Sequence, residues 1–112
     1  MRPGAYDMEF IETPAFTNRA ASRLTDEELL SLQVGLSNRP DAGELILGSG
    51  GLRKIRIRGS GRGKRGGARV IYYWAVAKSQ IILLDIYAKN ERSDLTKDQI
   101  RSMKVVLDQF KK

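Results

Sequence analysis

Two periodicities divide this chain. "MEFIETPAF" (8–16) opens with a short β-like run that Pro14 stops. From Thr25, "TDEELLSLQVGLSN" turns helical. Thr25 is placed to cap it, and Asp26, Glu27 and Glu28 suit the positive N-terminal end. Leu29, Leu32 and Leu36 share a face, flanked by Leu30 and Val34, before "NRPDAG" (38–43) ends the helix.

After residue 50 the spacing becomes two. In "LRKIRIR", Ile55 and Ile57 point one way and Lys54, Arg56 and Arg58 the other. "ARVIYYWAVA" and "QIILLDIYA" are rich in β-branched and aromatic residues, and the "KS" between them predicts a hairpin. At least two of Tyr72, Tyr73 and Trp74 are expected in the core. The last segment returns to helix, with a capping box at Thr96 and Gln99 and a staple between Leu95 and Ile100. Ile100, Met103, Leu107 and Phe110 form its apolar stripe, expected to pack in the core.

The predicted order is β-α-α-β-β-β-α. It describes one α+β domain over residues 8–112, with an antiparallel sheet and its helices packed on one face. Residues 1–7 show no pattern: they form a loose arm or a non-native start, with Met8 the natural one.

Composition narrows the chemistry. There is no cysteine and no histidine, which removes disulfides, thiolate metal sites, zinc centres of the usual kind and histidine-dependent triads. Catalysis must then fall to Lys, Arg, Asp, Glu, Tyr or the backbone, and no metal or cofactor is expected. No apolar run is long enough to span a membrane and no apolar leader follows Met1, so a cytoplasmic protein is expected.

The net charge of +7 calls for a polyanionic partner, and its placement shows where. Between Arg53 and Arg69 stand eight basic residues, no acidic one, and five glycines, while the rest of the chain holds 12 basic against 13 acidic residues. Within it "GRGKRG" (61–66) matches G-x-G-x-x-G, but a strand follows where a dinucleotide site needs a helix N-terminus. Lys64 is followed by Arg65 instead of Ser or Thr, so a Walker loop fails as well. The loop joins two strong strands, which argues against an Arg-Gly tail. It is either a solvated hairpin tip or a loop whose glycines let backbone approach phosphate. Lys54, Arg56 and Arg58 form a cationic row on a regular strand. Like charges in a row cost stability unless a polyanion covers them, so this face is read as the functional one.

"GLRKIRI", then "GKRGGARVIYY", then "LLDIYAKNERSDLT" together resemble the RelE/ParE superfamily of toxins, most closely its HigB-like branch, over roughly residues 8–110. The resemblance implies a toxin of a type II toxin–antitoxin system that enters the ribosomal A site and cuts translated mRNA. It also implies a cognate HigA-like antitoxin carrying a helix-turn-helix. The implied chemistry is attack of the ribose 2′-OH on the adjacent phosphate, leaving a 2′,3′-cyclic phosphate without metal.

Such cleavage needs a proton acceptor for the 2′-OH, cations for the phosphorane and a donor to the 5′ oxygen. By resemblance Lys54, Arg56 and Arg69 are the catalytic candidates. Lys54, beside Arg56 on one face, is the candidate base, because a cation next to a cation releases its proton more readily. Arg53, Arg58, Arg62, Lys64, Arg65, Lys89 and Asn90 are assigned to RNA or ribosome binding. Tyr87 and Glu91 are candidates for base stacking or acid/base work, with a core role the alternative for Tyr87. Where the family's best-known pattern has an arginine and then a tyrosine after the last strand, this chain has Asn90 and Thr96. Asp94 and Thr96 also have a simpler role in starting the last helix. Two other activities share these features: a ParE-like DNA gyrase poison, and an RNA or ribosome binder without catalysis.

Overall fold

The computed structural model describes residues 8–58, 67–92 and 94–111. Strand β1 (Glu9–Glu12) leads into helix α1 (Pro14–Ala20), then α2 (Asp26–Asn38), β2 (Glu44–Leu45), β3 (Arg53–Ile57), β4 (Ala68–Ala75), β5 (Gln80–Ala88) and α3 (Lys97–Lys111). Pro14 ends the strand by opening a helix. Proline suits the first helical turn, and the Thr13 hydroxyl accepts from the Phe16 N–H at 3.2 Å to cap it. Thr25 with Glu28, and Thr96 with Gln99, make reciprocal capping boxes at α2 and α3.

The five strands lie in the order β1-β5-β4-β3-β2. The expected α+β class and element order hold, with β2 added as a two-residue strand on the edge. Two details of the expected layout are corrected. The sheet is mixed, because β1 runs parallel to β5 while every other pair is antiparallel. The helices also cover both faces. Phe16, Ala20, Leu32 and Leu36 of α1 and α2 pack on Val70, Tyr72, Ile81, Leu83 and Ile86. Met103 and Leu107 of α3 pack on Ile71, Ile82, Leu84 and Tyr87. β4 and β5 are therefore buried on both sides, which is why they read as continuous apolar runs. Each of their buried Ile and Leu side chains contributes roughly 1.5–3 kcal/mol.

Between Ile71 and Tyr72 the register of β4 against β5 shifts by one. Tyr72 faces Leu83 but Ile71 faces Asp85, leaving Leu84 as the extra residue of a bulge. The hairpin closes through a 3-10 turn, Val76–Lys78, and Ser79 in a left-handed conformation at φ 51°. Tyr72 lies in the core, its hydroxyl donating to the Pro40 carbonyl at 2.7 Å and accepting from the Gly43 N–H at 2.8 Å. Trp74 packs beside it, and Tyr73 packs on the α3 side.

The turn after β5 is tied to the helices on the far side. Glu91 accepts the Ala88 N–H at 2.6 Å and pairs with Arg23, whose Nε lies 2.7 Å from its Oε1. Arg23 chiefly, with the Ala88 N–H assisting against desolvation, holds the Glu91 carboxyl at about 2. Residues 1–7 and the glycine loop at 59–66 lie outside the described residues. Among the described residues no helix is long and apolar enough to cross a membrane.

Two outcomes are expected. Gly67 sits at φ +84°, and a Cβ there would lie 2.4 Å from the Ile57 carbonyl oxygen, so Gly67→Ala should cost about 2 kcal/mol or more in urea unfolding. Because the folded Glu91 carboxyl is depressed from 4.5 to about 2, its contribution is complete above pH 4.5 and disappears as pH falls through about 2. Urea midpoints measured across that window should fall for the native chain and less so for Glu91→Gln.

Candidate functional site

The pairing registers bring cations from successive strands into one row. Arg56 of β3 lies directly opposite Arg69 of β4, and Arg69 directly opposite Tyr87 of β5. Opposed residues in an antiparallel pair stand about 4.5–5.5 Å apart at Cβ, so these three positions are neighbours. Lys54 is one pleat away, opposite Ile71. Gly67, at positive φ and with no room for a Cβ beside the Ile57 carbonyl, immediately precedes β4, whose pairing of Ala68 with Ile57 puts Arg69 in this register.

Tyr87 is 1% exposed, its ring in the α3-side core. The Arg92 guanidinium lies over that ring at 4.7 Å from its centroid, so the face needed to stack on a nucleobase is occupied. Both the Tyr87 hydroxyl and Nη1 of Arg69 are buried without a hydrogen-bond partner among the described residues. Burial pushes the Tyr87 hydroxyl above its ordinary value. Asp94 adds to that, while Arg69 and Arg92 oppose it. It is therefore a protonated donor near neutrality, standing beside a second unused donor.

Charged side chains around the bulge hold this corner in place. Asp85 takes Arg19 of α1 at 2.9 Å on one oxygen and Arg92 at 3.3 Å on the other. Its side chain is only 15% exposed, so each arginine meets a carboxylate with little competing water. On the opposite side of the site, Lys54 Nζ lies 3.4 Å from Asp94 Oδ1.

The sequence-derived candidates separate by position. Lys54, Arg56, Arg69 and Tyr87 converge. Arg58 is exposed just past β3 and, with Arg56, lines a groove of about 780 Å³ shared with Glu27 and Glu28 of α2. Lys89 and Asn90 are exposed in the turn after β5, at the rim. Arg53 lies elsewhere, its Nη1 donating to the carbonyls of Asp41 at 3.2 Å and Gly43 at 2.7 Å, where it fastens the loop after α2. Glu91 faces Arg23, and so large a depression leaves it a poor proton acceptor. Arg62, Lys64 and Arg65 lie outside the described residues. Thr96 is spent on the α3 cap.

Three residues of the corner escaped sequence reasoning. Asp94 reads only as a residue that starts the last helix, and the sequence reading does not single out Asp85 or Arg92. The available signal was a cluster of charges in "NERSDLT" directly after the strand that carries Tyr87.

The fold is similar to that of a solved toxin structure. An arginine-to-alanine double mutant of the toxin RelE from E. coli, in its free state, superposes with a TM-score of 0.60 at 16% identity. The match covers 88% of this chain and 94% of that one. At this identity the likeness concerns the fold. The sequence itself goes further: residues 11–112 match the family model described as the RelE toxin of the RelE/RelB toxin–antitoxin system, and the chain belongs to the RelE toxin family.

Proposed function

We propose that this chain is the toxin of a type II toxin–antitoxin system and cuts mRNA on the ribosome. The observation that carries the reading is the Arg69–Tyr87 pair at the end of a cationic row, where Arg69 Nη1 and the Tyr87 hydroxyl are buried donors without a hydrogen-bond partner among the described residues. A buried donor left unpaired costs about 1–3 kcal/mol, a cost offset when an acceptor enters. Two such donors beside Arg56 and Lys54 suit an anion with several acceptor oxygens, and a phosphodiester in RNA is one.

In the cleavage step the ribose 2′-OH attacks its own phosphorus, forming the cyclic phosphate as the bond to the 5′ oxygen breaks. Lys54 is assigned to the attacking side, where it meets the phosphate as a cation and accepts the 2′-OH proton only after giving up its own to solvent. Arg56 and Arg69 take the negative charge that builds on the non-bridging oxygens, where prearranged donors act most strongly. The Tyr87 hydroxyl donates toward the departing 5′ oxygen. Arg58, Lys89 and Asn90, with Arg62, Lys64 and Arg65 of the glycine loop, are assigned to the RNA backbone or rRNA. Arg53 and Glu91 are left out of this set because both are engaged elsewhere. The family description supports an antitoxin partner. A HigA-like helix-turn-helix antitoxin, the ribosomal A site and a cytoplasmic location belong to the same proposal.

Controlled expression followed by mapping of mRNA 5′ ends tests it. The native chain should give cuts clustered inside translated codons. Arg69→Ala should slow cleavage by about 10²–10³, and Tyr87→Phe, which keeps the ring packing, should slow it by a similar order. Lys54→Ala should also fall well below the native rate, with folding of each variant checked by circular dichroism. Intact transcripts with DNA damage would identify a gyrase poison instead. Salt-sensitive RNA binding without product would identify a binder.

A further inference from the structure

Asp94 has no part in the mechanism above, yet its carboxylate stands among the groups assigned to the phosphate. Oδ1 accepts the Leu95 N–H at 2.8 Å and lies 3.4 Å from Lys54 Nζ. Its negative charge also acts on Tyr87, helping to keep that hydroxyl protonated. The Leu95 N–H chiefly, then Lys54, hold Asp94 below the usual carboxylate range, so it is charged near neutrality. An anion of the protein thus occupies the vicinity of a cation and a donor placed for an anion of the substrate.

Asp94 does not fill the site. Among the described residues, Arg69 Nη1 and the Tyr87 hydroxyl remain unpartnered with the carboxylate in place. The ion pair is also shallow, with the Asp94 side chain 71% exposed and that of Lys54 26% exposed. Pairs this exposed are held weakly and yield to a competitor that makes more contacts. A phosphodiester able to reach Arg69 and Tyr87 as well as Lys54 has that advantage. A polyanion that touches only the surface does not.

We propose that Asp94 is an intramolecular counter-anion for Lys54, displaced by the RNA phosphate, and that it weakens binding of polyanions that fail to reach Arg69 and Tyr87. This rests on the assignment of the site to RNA phosphate.

The test is fluorescence anisotropy at low salt with a labelled, uncleavable 2′-O-methyl RNA oligonucleotide and the full chain. Asp94→Asn should tighten binding about two- to fivefold, the range expected for releasing one exposed ion pair. In a Lys54→Gln background the same substitution should have no effect, since the cation it frees is gone. Asp98→Asn removes a nearby exposed charge that pairs with Arg101 at 2.5 Å instead, and should give a smaller gain. Equal gains from Asp94→Asn and Asp98→Asn, or an Asp94→Asn gain undiminished in Lys54→Gln, would mean a general charge effect and overturn the proposal. Failure of the native chain to bind the oligonucleotide would overturn it too. The ribosome cleavage assay is separate: cleavage lost in Arg69→Ala with no Asp94 effect leaves the toxin reading standing and removes only this inference.

Discussion

The site depends on one extra residue in β5. Without the bulge at Leu84, regular pairing would set Arg69 against Ile86 and turn Tyr87 toward α1 and α2, because a slip of one residue moves every later side chain to the other face. With it, Ile86 enters the core beneath the first two helices and Tyr87 enters the core beneath α3, beside Arg69. The bulge also frees Asp85 to hold Arg19 and Arg92 together. Packing and site placement are thus the same event, since the side chains that fill two cores also set the phase in which the polar groups emerge.

Around that point the chain balances a concentration of positive charge with local carboxylates. Glu91 answers Arg23, Asp85 answers Arg19 and Arg92, and Asp94 answers Lys54. These acids differ in exposure, and the difference sorts their roles. Asp85 is shielded and fixes a geometry, whereas Asp94 is open to water and exchanges more easily. Arg69 Nη1 and the Tyr87 hydroxyl receive no such answer from the described residues. That asymmetry makes this corner of the sheet stand out from the rest of a basic surface.

Much of this was legible in the sequence because the responsible physics is local. Helix caps at Thr25 and Thr96, the alternation of Ile55 and Ile57 with Lys54 and Arg56, and the apolar stripe of α3 depend on residues within a turn or a pleat of one another. The excess of positive charge in one segment is equally a property of the chain, and so is the absence of histidine and cysteine, which leaves any chemistry to lysine, arginine, the acidic residues, tyrosine or the backbone.

What only the tertiary structure decided concerns phase and distance. "QIILLDIYA" is apolar at nearly every position, so its alternation carries no mark of where the bulge falls or which core receives Tyr87. Arg53 belongs by composition to the basic cluster, yet carbonyls brought near by the loop after α2 claim it. Glu91 and Arg23 stand 68 residues apart, and Asp94 and Lys54 stand 40 apart. Sequence fixes the inventory of charges and the period of each element. Partnership between distant charges follows from how sheet and helices close on each other, and no local pattern encodes it.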